Sequence, residues 1–261
     1  MSGGPSRLPL VGILACRKER ANGTTYSRVN DHLTGPLLDH AGVAAVLLHT
    51  ARPEHADDVL ARLDGLVLPG SGSFVHPERY GGQDADAVPG REYDRARDAA
   101  AAALLRAADR IPGLPVLASC RGLQELVAHH GGTLETVPAS PVQHRLTAGV
   151  DGPDRWAPAH TVALAPGGLL AALAGPDLDP AAVPVNSQHS DRVAKVPGHA
   201  FVEATAPDGT VEAVSVAAPG RFVLGVQWHF EHHTDQSPLD RAVLAEFGRR
   251  CRSWTESRQQ Q

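Results

Sequence analysis

Short apolar runs recur along the first half of the chain, and each is followed by a stretch whose apolar positions return at helical spacing. Residues 9–16 (PLVGILAC), 42–49 (GVAAVLLH) and 114–119 (LPVLAS) read as strands buried on both faces. A further strand, within residues 65–74 (GLVLPGSGSF), runs into a glycine-rich loop. Helices are expected over residues 26–40, where Gly35-Pro36 kinks or shortens the element, and over residues 53–63, with proline near the start. The alanine-rich, charge-interleaved residues 91–110 form the strongest helix. Residues 73–92 are too polar and too rich in glycine and proline for regular structure. This alternation predicts βαβ units and an α/β fold in three layers, with a mainly parallel central sheet covered by helices on both faces.

Beyond Pro138 the rhythm changes. HTVALAP, HAFVEATAPDG, TVEAVSVAAPG and RFVLGVQWHF are β-rich segments separated by turn dipeptides such as Asp208-Gly209 and Pro219-Gly220. A helix is expected over residues 238–252, and the tail ESRQQQ is expected to fray. No long linker or internal repeat divides the chain, so residues 1–261 read as a single α/β domain with a β-rich C-terminal portion.

Composition narrows the function. A net charge of −5 gives no electrostatic reason to expect nucleic acid or an anionic membrane as partner. The cysteines Cys16, Cys120 and Cys251 are odd in number and far apart, which argues against a disulfide framework and for a reducing compartment. With no signal-like N-terminus and no uncharged apolar run of about 18 residues, a cytoplasmic protein is expected.

Cys120 stands between the predicted strand 114–119 and the helical RGLQELVAHH. In an open parallel sheet, ligand chemistry collects at the carboxyl ends of strands. A helix N-terminus there favours thiolate, and Gly122 lets the backbone pass close to the sulfur. The Arg121 backbone N–H, without a helical partner, can face an oxyanion. Local sequence alone leaves open a buried, inert thiol. His229 in GVQWHFEHH also ends a predicted strand, and Glu231 at i+2 shares its face, the relation of a base and its orienting carboxylate. A polar surface cluster is the plain alternative for that stretch. A metal site made of His229, Glu231, His232 and His233 is disfavoured, because the helical H-E-x-x-H geometry is absent. The loop Gly70-Ser71-Gly72 fits neither the P-loop nor the dinucleotide fingerprint; it is either a plain turn or a donor of a backbone N–H beside Cys120.

Taken together, LDGLVLPGSGSFVHPERYGG, ADAVPGRE, PVLASCRGLQELVAHHGGTL, APAHTVALAPGGLLAAL, VPVNSQHS, PDGTVEAVSV and GVQWHFE resemble the class I glutamine amidotransferase-like superfamily. Within it they resemble the free-standing γ-glutamyl-γ-aminobutyrate hydrolases of polyamine breakdown, over nearly the whole chain. The resemblance implies a flavodoxin-like fold and a Cys120, His229 and Glu231 triad. It implies oxyanion donors at the Ser71 and Arg121 backbone and a γ-glutamyl contact at Gln124. Gly70, His144, Arg145, Asn186, Ser187 and His189 fall in matched stretches that border the substrate cleft. It also implies a small-molecule γ-glutamyl amide as substrate and neither metal nor organic cofactor. A homodimer is compatible with the sequence and not required by it.

The chain departs from the family pattern at three places. Ala118 replaces the first glycine of G-x-C-x-G, Phe230 replaces the proline of W-H-P-E, and NSQHSDR stands where NS-x-H-x-Q is usual. Losing the proline is expected to loosen the His229–Glu231 geometry. The Asp191-Arg192 pair is expected to meet a different amine portion. Two other readings stay open: a glutaminase or amidotransferase subunit serving a partner enzyme, and a catalytically weak binding protein on the same fold.

Overall fold

The computed structural model describes residues 7–50, 52–145, 155–217 and 220–259. In chain order the first half folds as β1 (Leu10–Leu14), β2 (Cys16–Glu19), β3 (Thr25–Arg28), α1 (Asp31–Pro36), β4 (Ala44–Leu48), α2 (Ala56–Leu60), β5 (Gly65–Leu68), α3 (Arg95–Asp109), β6 (Val116–Ser119) and α4 (Arg121–His129). The second half adds β7 (Thr133–Thr136), β8 (His160–Leu164), α5 (Leu169–Leu173), β9 (Val183–Val185), β10 (Asp191–Lys195), β11 (Ala200–Thr205), β12 (Val211–Val216), β13 (Val223–Val226) and α6 (Pro238–Gln259). An eleven-stranded sheet runs β4-β1-β5-β6-β13-β12-β11-β8-β9, with β10 and β7 branching from β12. The five strands from β4 to β13 are parallel, as the alternating pattern predicts. From β12 outward every pairing is antiparallel, so the β-rich C-terminal portion extends the same sheet.

Strand side chains alternate between faces, and the central strands are apolar on both. Val11, Ile13, Val67 and Leu117 pack with Leu33, Leu37, Val243 and Phe247, so α1 and α6 cover one face. Leu14, Leu66, Leu68 and Val116 pack with Leu60, Leu104 and Leu126, so α2, α3 and α4 cover the other. Two buried faces leave only strand ends and loops for chemistry. Among the described residues, no helix is long and apolar enough to cross a membrane.

The helix expected over residues 26–40 is replaced at its start by a hairpin. β2 and β3 pair antiparallel, and Gly23 of Asn22-Gly23 turns the chain at φ 79°. α1 occupies Asp31–Pro36, and Leu37–Ala41 follows as a π-helical turn closed by Gly42 at φ 63°. Pro36 offers no N–H and crowds the carbonyl one turn back, so the hydrogen-bond register slips there. α3 begins at Arg95, later than expected, because Asp94 caps it by accepting the Arg97 N–H at 2.9 Å. The irregular segment before it holds two 3₁₀ turns, Pro77–Tyr80 and Asp84–Asp86. The alternation did not single out β7 and β10; a cross-strand bond from Arg192 Nε to Glu135 Oε1 (2.8 Å) joins them. The tail expected to fray is helical to Gln259, pinned by Arg258, which donates to the Ala61 carbonyl (2.9 Å) and pairs with Asp64.

Candidate active site

Cys120 is the one non-glycine residue at positive φ among the described residues, at φ 50° and ψ −109°. L-residues avoid that region, so the surroundings must hold it there. They do so from both sides. The Cys120 N–H donates to the Val226 carbonyl of β13 (2.8 Å), and α4 starts at the next residue. A Cβ on Gly122 would lie 1.8 Å from the Leu68 carbonyl oxygen, so only glycine lets α4 press this closely on β5. The thiol therefore sits on a sharp strand-to-helix turn, as the position of Gly122 in the sequence predicts.

β13 lies parallel beside β6 with Val226 opposite Ser119, so His229 emerges at the same end of the sheet as Cys120. Its backbone is clamped by Asn186, whose Oδ1 accepts the His229 N–H and whose Nδ2 donates to the His229 carbonyl, both at 2.8 Å. On the ring, Nδ1 bonds Glu231 Oε1 at 2.8 Å, which leaves Nε2 for the thiol. Burial opposes charge on the imidazole, but Cys120 and Glu231 outweigh it and push His229 up to about 10. Glu231 is likewise held below its usual range by His229, against its own burial. The expected loosening at Phe230 does not occur. Its ring is fully buried in the core beside Trp228, and Phe230–His232 forms a 3₁₀ turn. Burial of the ring anchors what proline would have stiffened.

Trp228 is anchored as well, its Nε1–H donating to Asp240 Oδ1 on α6 at 2.9 Å. Burial pushes the Asp240 carboxyl up to about 7. An unfolded aspartate titrates near ~3.9, so between these values the folded chain holds an extra proton. The stability from this group is complete below ~4 and is lost as the pH rises through about 7. Thermal melts over that window are expected to show the loss in the native chain and a flatter profile in Asp240→Asn. Parallel profiles would contradict it.

The loop after β5 is held from beneath by an arginine that sequence reasoning missed. Arg97, fully buried, makes a forked pair with Glu125 (2.9 and 3.0 Å) and donates to the Pro69 and Gly70 carbonyls and to Cys16 Sγ. Burial works against its charge, yet Glu125 keeps Arg97 above the ordinary guanidinium range. Arg121 joins the network through Asp98 (2.6 Å) and Glu125. A trans peptide points its C=O and N–H in opposite directions. With the Gly70 carbonyl turned toward Arg97, the Ser71 N–H points away from it. Among the described residues, neither this N–H nor that of Arg121 has a backbone partner.

These groups open on a cavity of about 310 Å³. Of the residues expected in the site, Gly70, Ser71, Cys120, Arg121, Gln124, Arg145, His189, His229 and Glu231 line it. Asn186 lies behind the wall, clamping His229, and Ser187 Oγ donates to the His144 carbonyl (2.8 Å). The His144 ring turns away into a separate buried cluster. The charged pair Asp191-Arg192, expected to face an amine, is engaged internally: Asp191 pairs with Arg91 (2.8 Å) and Arg192 with Glu135 (2.7 Å). Gln124 Nε2 donates to the Asp191 carbonyl (2.8 Å) and ties α4 to that wall. Trp156, Arg28 and Arg155 also line the cavity and were not singled out from sequence. Trp156 stacks on His232 at 3.7 Å and meets the His229 ring at 4.7 Å.

Residues 9–231 match the peptidase C26 family model. The chain belongs to the peptidase C26 family. It is 36% identical to the γ-glutamyl-γ-aminobutyrate hydrolase PuuD of Escherichia coli K12, over 93% of each chain. It is equally similar to the γ-glutamyl-γ-aminobutyrate hydrolase of Shigella flexneri, over 92% of each. A solved GMP synthase subunit from Thermoplasma acidophilum superposes with a TM-score of 0.64, covering 98% of this chain and all of that one at 14% identity. That likeness shows a shared α/β fold. Membership of the C26 family makes the chain a hydrolase of amide bonds.

Proposed function

We propose that this chain hydrolyses γ-glutamyl amides whose amine portion carries a carboxylate, of the γ-glutamyl-γ-aminobutyrate type. The observation that carries the reading is the strained Cys120 turn facing the Glu231-bound His229 at one end of the sheet, under unpartnered backbone N–H groups. The Cys120 sulfur attacks the γ-carbonyl carbon, and the Ser71 and Arg121 N–H groups receive the developing oxyanion. His229, protonated at neutral pH, delivers its Nε2 proton to the leaving nitrogen as the C–N bond breaks. The amine departs and leaves a γ-glutamyl thioester. His229, now neutral, takes a proton from water; the hydroxide adds to the thioester, the C–S bond breaks with its electron pair going to sulfur, glutamate is released, and His229 keeps the proton, which restores the starting pair.

The cavity lining favours an anionic amine. Arg28, Arg145 and Arg155 stand around it, whereas its acids Glu231 and Asp191 are already paired with His229 and Arg91. A cationic polyamine would meet uncompensated positive charge. The test is glutamate release from γ-glutamyl-γ-aminobutyrate, γ-glutamylputrescine and glutamine side by side. Highest kcat/KM on the first supports the proposal. Preference for glutamine would support the amidotransferase reading, and release from none would overturn hydrolysis of this substrate class.

Gly70 offers a sharper check. A Cβ there would lie 2.4 Å from His229 Cε1 and 3.4 Å from Cys120 Cβ. Gly70→Ala is expected to shift the imidazole and lower kcat by about 100-fold, the scale of an ångström-level misplacement. An unchanged kcat would show that His229 need not occupy this position.

A further inference from the structure

Three histidines and a glutamate meet inside the β-rich portion, away from the thiol. They are His144 beyond β7, His160 at the start of β8, His189 before β10, and Glu212 on β12. Their side chains are 3%, 5%, 1% and 0% exposed. Glu212 Oε1 lies 3.2 Å from His144 Nδ1, 3.5 Å from His160 Nε2 and 3.4 Å from His189 Nε2. All four donor atoms lie within 4.8 Å of one another.

The hydrogen bonds around the cluster set its chemistry. His144 Nε2 bonds Asp208 Oδ2 (2.9 Å), His160 Nδ1 bonds the Thr161 carbonyl (3.2 Å), and His189 Nδ1 bonds the Asp191 carbonyl (3.0 Å). Each outer partner is an oxygen acceptor, so each outer nitrogen carries the proton. In a neutral ring the inner nitrogen then presents its lone pair to the Glu212 carboxylate. None of the three inner nitrogens, nor either Glu212 oxygen, has a hydrogen-bond partner. With the rings neutral, five buried acceptors converge without a donor, a costly arrangement for a folded chain. One cation at the centre satisfies them together.

We propose that His144, His160, His189 and Glu212 bind a divalent ion of the zinc class. With bonds of 2.0–2.1 Å, a tetrahedral zinc site has ligand-to-ligand edges of about 3.3–3.4 Å, and the three distances to Glu212 Oε1 bracket that value. Three imidazoles with one carboxylate suit zinc better than magnesium or calcium. Outer hydrogen bonds from each imidazole to carboxylate or carbonyl oxygen are the usual support of such ligands. The closed, buried setting makes the ion structural. It ties the segment at His144 and two strands to His189, which also lines the active-site cavity.

The test uses the full, untagged chain. Metal analysis after growth in zinc-supplemented medium is expected to find one zinc per chain. Chelator-stripped protein titrated with Co²⁺ is expected to develop the intense visible bands of tetrahedral cobalt. Glu212→Gln is expected to lose both signals. Asp208→Asn, which alters the outer bond to His144 and keeps an amide oxygen for the Ser140 hydroxyl and Thr210 N–H that Asp208 also holds, is expected to weaken zinc binding about 10- to 100-fold while the chain stays folded. Zinc should raise the Tm of the stripped native chain. Trace zinc in the purified protein, no tetrahedral cobalt bands and a Tm indifferent to zinc would overturn the proposal, as would Asp208→Asn with native affinity.

Discussion

Cys120→Ala is expected to lower γ-glutamyl amide turnover by about six orders of magnitude, the loss seen when the nucleophile of a hydrolytic triad is removed. No other thiol can replace it. Cys251 is buried in the core, and burial pushes it above the ordinary thiol range; Cys16 is bonded to Arg97 and Ser71 behind the loop. Single-turnover assays on the variant should show no thioester. Removing His229 in addition should cost little more, because the members of a triad act as a unit. The strained backbone supplies an independent control. Cys120 occupies φ 50°, where glycine is far less penalised than alanine. Cys120→Gly should therefore be as inactive as Cys120→Ala yet more stable, by about 1 kcal/mol. Equal stability of the two would mean that the turn relaxes once the sulfur is gone.

Arg97→Met is expected to cost about 3–5 kcal/mol of stability, because it strands Glu125 in a buried position. Glu125 would keep only Arg121, which already serves Asp98. The double variant Arg97→Met/Glu125→Leu leaves the Arg121–Asp98 pair intact and should recover much of that loss in denaturant titrations. Activity should not recover with it. The Pro69 and Gly70 carbonyls would still lack the guanidinium that turns the Ser71 N–H toward the cavity. Losing an oxyanion donor costs ~3–4 kcal/mol of transition-state binding. A double variant that regained both stability and kcat would show that Arg97 serves the core alone.

The convergence of Cys120, His229 and Glu231 at one end of the sheet was legible because each is announced locally. Cys120 stands between an apolar run and a helix with glycine two residues on, and His229 and Glu231 share a face at the end of another run. Arg97 was not legible. In the repeating RARDAAAAALL pattern nothing distinguishes it, fully buried, from Arg95, which is exposed. Their fates are decided by what α3 packs against. The hairpin was missed although Asn22-Gly23 marks it, because the apolar spacing beyond Tyr26 fits a helix and the strand that pairs there, Cys16–Glu19, is short and polar. The histidine cluster has no spacing signature at all. Its members come from four separate segments, and only the sheet order β12-β11-β8, with β10 on the branch, brings them together. Phe230 shows the converse case, where a lost motif residue looked damaging and the core compensated for it.

The adjacency of β6 and β13 also orders events during synthesis. The two strands are far apart in sequence, and closing so long a loop comes late for a chain that folds from its N-terminus on the ribosome. Until Val223–Val226 docks beside Val116–Ser119, Cys120 has neither the Val226 carbonyl that holds its backbone nor an imidazole beside its sulfur. A nascent chain arrested before that strand carries an unassisted thiol. The proposed site is thus assembled only when Val223–Val226 docks beside Val116–Ser119.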